Sequence, residues 1–423
     1  MKVLIVDPGG RGHALAWKIA QSPLLTKLFI APGSTGTGCI AENVGIEITD
    51  IEGLLKFAIK EKIDLTIVGS EESLEQGIVD IFQKEGLKIF GPTKEAAKIE
   101  WSKSFAKRMM FAKSIITPGY LAFNDYGKAL EHMNGLVDSF VIKANGLAKG
   151  KGVHICKTKK EGKEALYDIM INKIHGCAGD RVVIEDYIEG EELSIHLLHD
   201  IEGTSILFPS SKDYKNFKDE NTGGMGGYAP AHPTSRNFLN EVYISAVRPA
   251  LEYLSINRQT PFSGCLYPGI ILTPRGLRVL EYNVRFGDPE ALLYMTLLKS
   301  DVLELLLACV EGRLSEVKIE WHDGYAVCVV LASDGYPGKY EIGFPITGID
   351  KASLVPGVTV FHAGTKHKGD HIVTDGGRVL NIVAYDNTLE NARKNVYEAV
   401  KRIRFKGMCF KDDIGLVSTY QEV

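Results

Sequence analysis

The chain has no apolar run approaching the ~20 residues that cross a bilayer. Its first residues lead straight into a short apolar segment, residues 3–6, which ends at Asp7. A secretory signal requires a longer apolar stretch and a small-residue cleavage site. We therefore expect no signal peptide, no membrane partner and a cytoplasmic protein.

Paired cysteines and an excess of basic charge are also missing. The seven cysteines are scattered without a Cys-x-x-Cys pair, which argues against a zinc knuckle or a disulfide framework and indicates reduced thiols. Lysine and arginine number 49 against 53 aspartates and glutamates, giving a net charge of −4. Because nucleic-acid binding relies on basic patches, we expect no nucleic-acid partner.

The 423 residues show no internal repeat and no low-complexity linker. At roughly 150 residues per domain, this length suggests about three closely packed domains. We place them at residues 1–100, 101–325 and 326–423. Short buried strands alternate with amphipathic helices in the first, which predicts a doubly wound parallel sheet. The fold class is therefore α/β and α+β, multidomain, with a small sub-domain near residues 120–190 and a C-terminal mixed β domain.

Helices are predicted over residues 73–85, 101–115, 237–253, 289–311 and 389–403. Strands in the second and third domains are predicted over residues 140–144, 152–156, 182–186, 193–199, 264–273, 278–283, 326–332, 358–364 and 379–384.

A glycine-rich loop, residues 7–13, lies between the first strand and the first helix. Glycines let backbone N–H groups approach an anion at a helix N-terminus, and Arg11 can add a bidentate contact. The spacing does not match a dinucleotide fingerprint, because the third glycine and the acidic ribose ligand are missing. We predict a phosphate of a smaller ligand at Gly9, Gly10, Arg11, Gly12 and His13; a tight turn without a ligand is the alternative.

A second glycine-rich segment, residues 141–153, carries Lys143 from a strand into a loop with Lys149 and Lys151. It lacks the Gly-Lys-Ser/Thr ending of a Walker loop. We interpret it as a mobile flap closing over triphosphate, with a flexible β-hairpin as the alternative. The acidic connector over residues 184–194 indicates a hinge that could contact adenine and ribose, although such connectors are usually just solvated.

Four glycines fall within residues 223–227, where they allow close approach of the backbone. Farther on, the strand over residues 279–283 places Glu281 and Asn283 two positions apart, so both face one way. Two oxygen ligands suit magnesium, which leaves its remaining positions to water and phosphate. This pattern predicts a metal site at Glu281 and Asn283.

Together these segments resemble the phosphoribosylamine–glycine ligase family of the ATP-grasp superfamily, essentially from end to end. The most specific matching segments are residues 10–17, 88–93, 102–105, 221–226, 283–290, 335–338 and 361–365. The resemblance implies a Rossmann-like, biotin-carboxylase-like first domain and a central ATP-grasp domain with a lid near residues 120–190. It implies the substrates ATP, glycine and 5-phosphoribosylamine, with Mg²⁺ or Mn²⁺; we expect a monomer.

The resemblance also implies site residues. The ATP-binding set is Lys103, Lys143, Glu185, Asp186, Tyr187, Ile188, Glu192, Asn216 and Asn221. Lys143, Arg285 and Asp288 form the catalytic set. We hypothesise that Arg285 neutralises the glycine carboxylate while Asp288 holds its ammonium group. The phosphoribosylamine phosphate would bind the loop over residues 9–13.

The chain departs from the family pattern at several positions. Gly12 stands where Glu is usual, Ser70 and Ser73 replace prolines, and Asn145 replaces Asp or Ser. Asn216 replaces an arginine, for which Lys212 or Lys215 could compensate. Two alternatives stay open: another ATP-grasp carboxylate–amine ligase, or a nucleotide-binding relative with impaired catalysis.

Overall fold

A computed structural model describes residues 1–148, 150–218, 220–232, 234–256 and 261–416. The N-terminal strands are β1 (Lys2–Asp7), β2 (Lys27–Pro32), β3 (Glu42–Asn43), β4 (Leu65–Val68) and β5 (Ile89–Phe90). The helices between them are α1 (Gly10–Ile19), α2 (Ile51–Glu61), α3 (Glu71–Gln76) and α4 (Ile78–Lys84). All neighbouring strands pair in parallel, in the order β3-β2-β1-β4-β5. This confirms the doubly wound sheet, and it brings the ends of β1 and β4 to one edge.

The single helix predicted over residues 73–85 is wrong. Gly77 interrupts it with φ of +84°, a left-handed conformation that glycine adopts without steric cost. The first of the two resulting helices begins at Glu71, directly after β4. Its first side chain therefore lies at the sheet edge where β1 ends.

Two helices lead into the lid, α5 (Lys98–Trp101) and α6 (Lys103–Ala112). The lid consists of β6 (Tyr120–Phe123), α7 (Tyr126–Gly135), β7 (Phe140–Ala144), β8 (Val153–Cys156), α8 (Lys159–Met170) and β9 (Val182–Asp186). Its strands form an antiparallel sheet in the order β6-β9-β7-β8. A capping box at Thr158 and Glu161 fixes the start of α8. We call the described residues between β7 and β8, 145–148 and 150–152, the flap.

The largest sheet draws on both remaining parts of the chain. From the central part come β10 (Glu191–His199), β11 (Ser205–Asp213), the short pair β12 (Asn216–Phe217) and β13 (Glu220–Asn221), β14 (Gly226–Ala229), α9 (Arg236–Val242), α10 (Arg248–Ile256), β15 (Gly264–Thr273), β16 (Gly276–Asn283), α11 (Glu290–Leu297) and α12 (Val302–Glu311). From the C-terminal part come β17 (Tyr325–Ser333), α13 (Ile349–Ser353), β18 (Val358–His362), β19 (Thr365–Lys368), β20 (His371–Thr374), β21 (Arg378–Asp386), α14 (Leu389–Val400) and β22 (Met408–Cys409).

Nine of these strands make one sheet in the order β16-β15-β10-β11-β14-β17-β21-β18, with β22 beside β17. The antiparallel pairing of β14 with β17 joins strands from the central part of the chain to strands from the C-terminal part in one sheet. The C-terminal strands are therefore held against the central ones by backbone hydrogen bonds, and the ends of β17 and β21 lie near the glycine-rich loop that precedes β14.

One further helix prediction was wrong in its continuity, and another helix is continuous but irregular. The helix expected over residues 289–311 is split, because Asp301 accepts hydrogen bonds from Leu303 and Glu304 and so starts α12 afresh. The helix expected over residues 237–253 contains a π-helical turn, Tyr243–Val247. Within the described residues, no helix is long and apolar enough to cross a membrane.

Candidate active site

A cleft of about 790 Å³ lies between the lid, the central strands and the edge of the N-terminal sheet. It is lined by all the predicted ATP-binding residues, the predicted metal ligands and catalytic residues, and by Gly9 and Arg11. Gly10, Gly12 and His13 are not among its lining residues. Segments almost 280 residues apart in sequence thus meet in one place.

The strand β16 brings Glu281 and Asn283 to the cleft, while the hydroxyl of Tyr282 between them donates to the carbonyl of Ala246. A bulge at Leu280 sets this register against β15, where Gly269 faces Glu281 and Ile270 faces Val279. The ammonium of Lys215 lies 3.5 Å from Glu281 Oε1. Burial would raise the pKa of Glu281, but the positive charges of Lys215, Lys143 and Lys103 lower it to about 2.

This donor set fits a metal carried by a nucleotide. The described residues contain no group of three or more His, Cys, Asp or Glu side chains placed for a metal. One carboxylate and one amide oxygen nevertheless match Mg²⁺, which keeps several positions for water and phosphate. Because the cleft already places a lysine ammonium beside Glu281, the carboxylate stands in a position suited to a cation.

Two lysines of the cleft are held by one buried carboxylate, that of Glu185. Lys143 lies 2.9 Å and Lys107 3.1 Å from Glu185 Oε2. Burial would lower the pKa of Lys143, but the facing carboxylates of Glu185 and Glu281 raise it above its ordinary value. Burial lowers the pKa of Lys107 to about 8 despite its contact with Glu185. Lys143 is therefore a firmly charged group aimed at the cleft.

Asn145 connects the flap to Lys103. Its carbonyl accepts the Lys103 backbone N–H at 3.0 Å, and its side-chain oxygen accepts the Ser104 N–H at 2.9 Å. The amide thus serves the first turn of α6, as a capping residue does. The Lys103 ammonium donates to the Gly146 carbonyl at 3.2 Å. Asn145, which replaces the usual Asp or Ser, therefore holds Lys103 against the start of the flap. Lys149 lies outside the described residues.

The acidic connector is shorter than predicted, because Glu191 and Glu192 already belong to β10. Glu185 is buried at the end of β9, whereas Asp186 and Tyr187 are exposed. Asn216 and Asn221 face each other across the β12–β13 pair, and Asn221 donates to the Val153 carbonyl at 3.1 Å. The hinge and this hairpin lie on the wall of the cleft.

The loop before α1 uses several of its donors internally. Asp7 Oδ1 accepts the N–H groups of Gly9 at 2.8 Å and Gly12 at 3.0 Å, and Asp7 Oδ2 accepts from Arg11 Nε at 2.6 Å. A Cβ on Gly12 would lie 2.8 Å from Asp7 Cβ and Oδ1, so glycine is required for this approach. Asp7 therefore satisfies part of the helix N-terminus, and fewer donors remain for an anion than the sequence predicted.

His13 turns toward the C-terminal strands. Its Nδ1 accepts the His362 backbone N–H at 2.9 Å, and its ring meets Phe361 edge-on. Burial lowers the pKa of His13 to about 3, so the ring is neutral and acts as an acceptor. The placement of His13 gives it a structural contact between domains.

Arg285 lies between the buried carboxylate of Glu100 and the partly buried carboxylate of Glu71. Its Nη2 lies 3.0 Å from Glu100 Oε1 and its Nε 3.4 Å from Glu71 Oε2, and Nη2 donates to Asn283 Oδ1 at 3.3 Å. Burial would lower the pKa of Arg285, but Glu100 and Glu71 raise it. Burial would raise the pKa of Glu71, but Arg285 and Arg11 lower it to about 2. The guanidinium thus ties the end of β16 to α3 and α5.

Asp288 is paired with a C-terminal residue. Its Oδ2 lies 3.3 Å from Arg378 Nη2, while its buried Oδ1 has no hydrogen-bond partner among the described residues. Asp213, which also lines the cleft, likewise has a buried Oδ1 without a hydrogen-bond partner among the described residues. Burial, followed by the charge of Glu290, raises the pKa of Asp213 well above its ordinary value. These two carboxylates leave acceptor capacity facing the site.

Sequence reasoning missed Lys107, Glu71, Glu100, Asp213 and Arg378. Lys107 could have been found, because it lies four residues after Lys103 and helical neighbours at that spacing share a face. Glu71 follows β4 at the carboxyl edge of a parallel sheet, where ligand sites form. Arg378 gives no local signal, since only the long-range pairing of β21 brings it to the cleft.

His196 supports the turn that carries Asp288. It is fully buried, its Nε2 accepts the Gly287 N–H at 3.0 Å, and it stacks on Tyr267 at 4.1 Å. Burial lowers the pKa of His196 from 6.5 to about 3. In the unfolded chain the His196 ring is protonated below pH 6.5, whereas in the folded chain it stays neutral down to about pH 3.

We therefore expect the free energy of unfolding to fall as pH decreases from 6.5, by up to about 1.4 kcal/mol per pH unit for this one ring. Urea unfolding of the wild type and of His196→Gln between pH 7 and 5 measures the effect, and the variant should show a shallower slope. The exposed His371→Gln is the control. Identical slopes for all three proteins would contradict the assignment.

Comparison with known proteins agrees with this geometry. Three family models match: the N domain of phosphoribosylglycinamide synthetase over residues 1–100, its ATP-grasp (A) domain over 101–291 and its C domain over 326–417. The chain is 44% identical to phosphoribosylamine–glycine ligase of Caldanaerobacter subterraneus subsp. tengcongensis, covering 98% of this chain and 99% of the relative. The corresponding figures for the enzyme of Fusobacterium nucleatum are 43%, 98% and 98%.

Solved structures give the same result. The crystal structure of phosphoribosylamine–glycine ligase from Thermotoga maritima matches with a TM-score of 0.82 and 31% identity, covering 98% of this chain and all of that one. The biotin carboxylase domain of Hydrogenobacter thermophilus 2-oxoglutarate carboxylase matches with a TM-score of 0.76 at 16% identity, covering 97% of this chain and 91% of that one, a likeness of fold alone. The chain belongs to the phosphoribosylglycinamide synthetase family and is an ATP-grasp ligase.

Proposed function

We propose that this chain joins glycine to 5-phosphoribosylamine with ATP, releasing glycinamide ribonucleotide, ADP and phosphate, and that the cleft residues described above perform the reaction. The observation that carries the proposal is the meeting of Lys103, Lys143, Glu281 and Asn283 on one cleft between lid and central strands. Cations and oxygen ligands at one wall are what a metal–triphosphate requires.

The chemical problem is the glycine carboxylate, whose oxygen is a poor leaving group. Its oxygen attacks the γ-phosphorus of ATP, the bond to the β-phosphate oxygen breaks, and ADP leaves glycyl phosphate behind. Phosphoryl transfer depends mainly on positioning and charge neutralisation. Lys143 and Lys103 supply positive charge for the phosphates. Glu185, Asp186, Tyr187, Ile188 and Glu192 form the nucleoside wall, with Asn216 and Asn221 on the flap side.

Glu281 and Asn283 would hold Mg²⁺ or Mn²⁺, which when bound neutralises charge on the phosphate oxygens. Arg285 lies next to this pair and, with Asp288, is our candidate for holding glycine by its two charged ends. The 5-phosphoribosylamine amine then attacks the acyl carbon, the bond to the phosphate oxygen breaks, and the nitrogen loses a proton.

We propose that the sugar phosphate binds near the start of α1, in the loop formed by Gly9, Gly10, Arg11, Gly12 and His13. The cleft reaches Gly9 and Arg11, which supports the nearer half of this assignment. We further propose the division into units of residues 1–100, 101–325 and 326–423, with the lid at about 120–190 as the moving part.

A coupled ADP-release assay that omits one substrate at a time tests the proposal. ADP release should require glycine and 5-phosphoribosylamine together, and glycinamide ribonucleotide should appear in equal amount. Alanine or bicarbonate in place of glycine should give only background release. Equal or faster release with another acid would reassign the substrate, and ATP binding without any ADP release would show a binding protein.

A further inference from the structure

The flap contacts the C-terminal part of the chain. Lys151, on the flap, donates from Nζ to the carbonyl oxygen of Pro337 at 2.5 Å. The same ammonium lies 5.7 Å from the ring centroid of Tyr336, within the range of a cation–π contact. Both partners sit in the turn that follows β17. Lys151 therefore points toward the C-terminal strands and, unlike Lys103 and Lys143, does not line the cleft.

The same turn reaches the glycine-rich loop over residues 221–228. The Tyr336 hydroxyl accepts the Gly223 N–H at 3.3 Å, and the Tyr336 ring packs on Gly377, where a Cβ would lie 2.3 Å from a ring carbon. Arg378 donates to the carbonyls of Gly223 at 2.7 Å and Asp288 at 2.8 Å. The turn after β17 and the start of β21 thus contact the flap, the glycine-rich loop and the turn at Asp288.

The flap and the glycine-rich loop also touch each other. Gly150 has φ of +76°, and a Cβ there would lie 3.1 Å from the Thr222 carbonyl oxygen. A side chain at this position would be strained by the positive φ and would crowd the Thr222 carbonyl. The flap is therefore packed between Thr222–Gly223 and the turn at Tyr336.

We propose that Lys151 and Tyr336 form a clasp by which the C-terminal domain holds the flap closed over the site. Both are positioning residues: they act on the flap and contact no reacting atom. The inference rests on the proposed function, because that function supplies the acyl phosphate that the flap shields. An acyl phosphate exposed to water is hydrolysed, so a loosened flap converts ligation into wasted ATP hydrolysis.

The test uses the full-length protein with Lys151→Met, Lys151→Arg and Tyr336→Phe, and with Lys163→Met as a control on an exposed lysine of α8. The first readout is the ratio of ADP to glycinamide ribonucleotide. It should stay near ~1 in the wild type and the control and rise to roughly 3 or more in Lys151→Met, as acyl phosphate is lost to water. Lys151→Arg keeps the donor and should return the ratio toward the wild-type value.

The second readout is amide hydrogen exchange of the flap without substrates. Loss of a charge-assisted hydrogen bond should speed exchange by roughly 10-fold in Lys151→Met and less in Tyr336→Phe, which keeps the ring. Exchange unchanged in Lys151→Met would overturn the clasp whatever the assay shows. Faster amide exchange of the flap in Lys151→Met, together with no ADP release from the wild type or any variant, would instead contradict the proposed function and leave the clasp supported. A ratio unchanged in Lys151→Met would show that the contact does not control water access, and would overturn the proposal in its catalytic part.

Discussion

Replacing Glu281 by Gln is expected to lower kcat by on the order of 10³-fold, because the metal loses its anionic ligand. The neighbouring strand cannot supply a replacement, since residues 264–271 contain no carboxylate. Glu281 also balances the lysines around it, which hold its pKa at about 2, so glutamine leaves cations facing one another. The measurement is kcat at saturating ATP and glycine, with the Mg²⁺ concentration varied over a wide range.

Asn283→Asp is the companion variant for Glu281→Gln. It keeps an oxygen at the same place on β16 and adds charge, so activity should remain within roughly 10-fold of the wild type. Glu164→Gln, on the exposed face of α8, controls for loss of a surface carboxylate. Thermal unfolding must be recorded for each variant to exclude a folding defect. Substantial turnover in Glu281→Gln at ordinary Mg²⁺ would refute the metal assignment.

Replacing Arg285 by Lys is expected to raise the KM for glycine roughly 10- to 100-fold and to change the KM for ATP far less. Lysine keeps the charge but cannot present a planar fork to a carboxylate. It also cannot bridge Glu71 and Glu100, which the guanidinium contacts at 3.4 and 3.0 Å. Initial-rate kinetics with each substrate varied separately measure the difference.

The two carboxylates give Arg285 a second, structural role that a further variant separates. Arg285→Met leaves Glu100 buried without the cation that it contacts, while Glu71 keeps Arg11 at 3.5 Å, so the free energy of unfolding should fall by about 3 kcal/mol. Arg285→Lys should lose much less, because a positive charge remains. Arg402→Lys, which alters a surface pair with Glu398, is the control. An equal rise of both KM values in Arg285→Lys would contradict the glycine assignment.

The family and the fold class could be predicted from sequence because their signals are local. Strand–helix alternation is visible within a hundred residues, and the spacing of Glu281 and Asn283 follows from the two-residue period of a strand. The loop of the β7–β8 hairpin could be identified by its glycines and lysines, whereas its closing over a triphosphate stays a prediction. Breaks within helices were missed, because a sequence pattern compatible with a helix continues through both break points. At Gly77 a left-handed backbone conformation ends the helical hydrogen bonds, and at Asp301 a side-chain cap starts a new helix.

The glycine-rich loop before α1 illustrates a different limit. Its glycines predicted free backbone donors, but the structure directs two of them to Asp7. The side chain of Asp7 occupies the space beside Gly12, so the two positions are coupled through contact. A pattern of glycines indicates where the backbone can be approached, but a neighbouring side chain can be the group that approaches it.

The sequence by itself determined the kinds of groups in the site: lysines on a flap, an acidic hinge, and a carboxylate–amide pair on a strand. The tertiary structure alone decided which charges neutralise one another. Glu185 holds Lys107 and Lys143, Glu71 and Glu100 hold Arg285, and Arg378 from the C-terminal sheet holds Asp288. The physical reason is that charge pairing depends on distances of a few ångströms between residues tens to hundreds of positions apart, and only the packing of the sheets sets those distances.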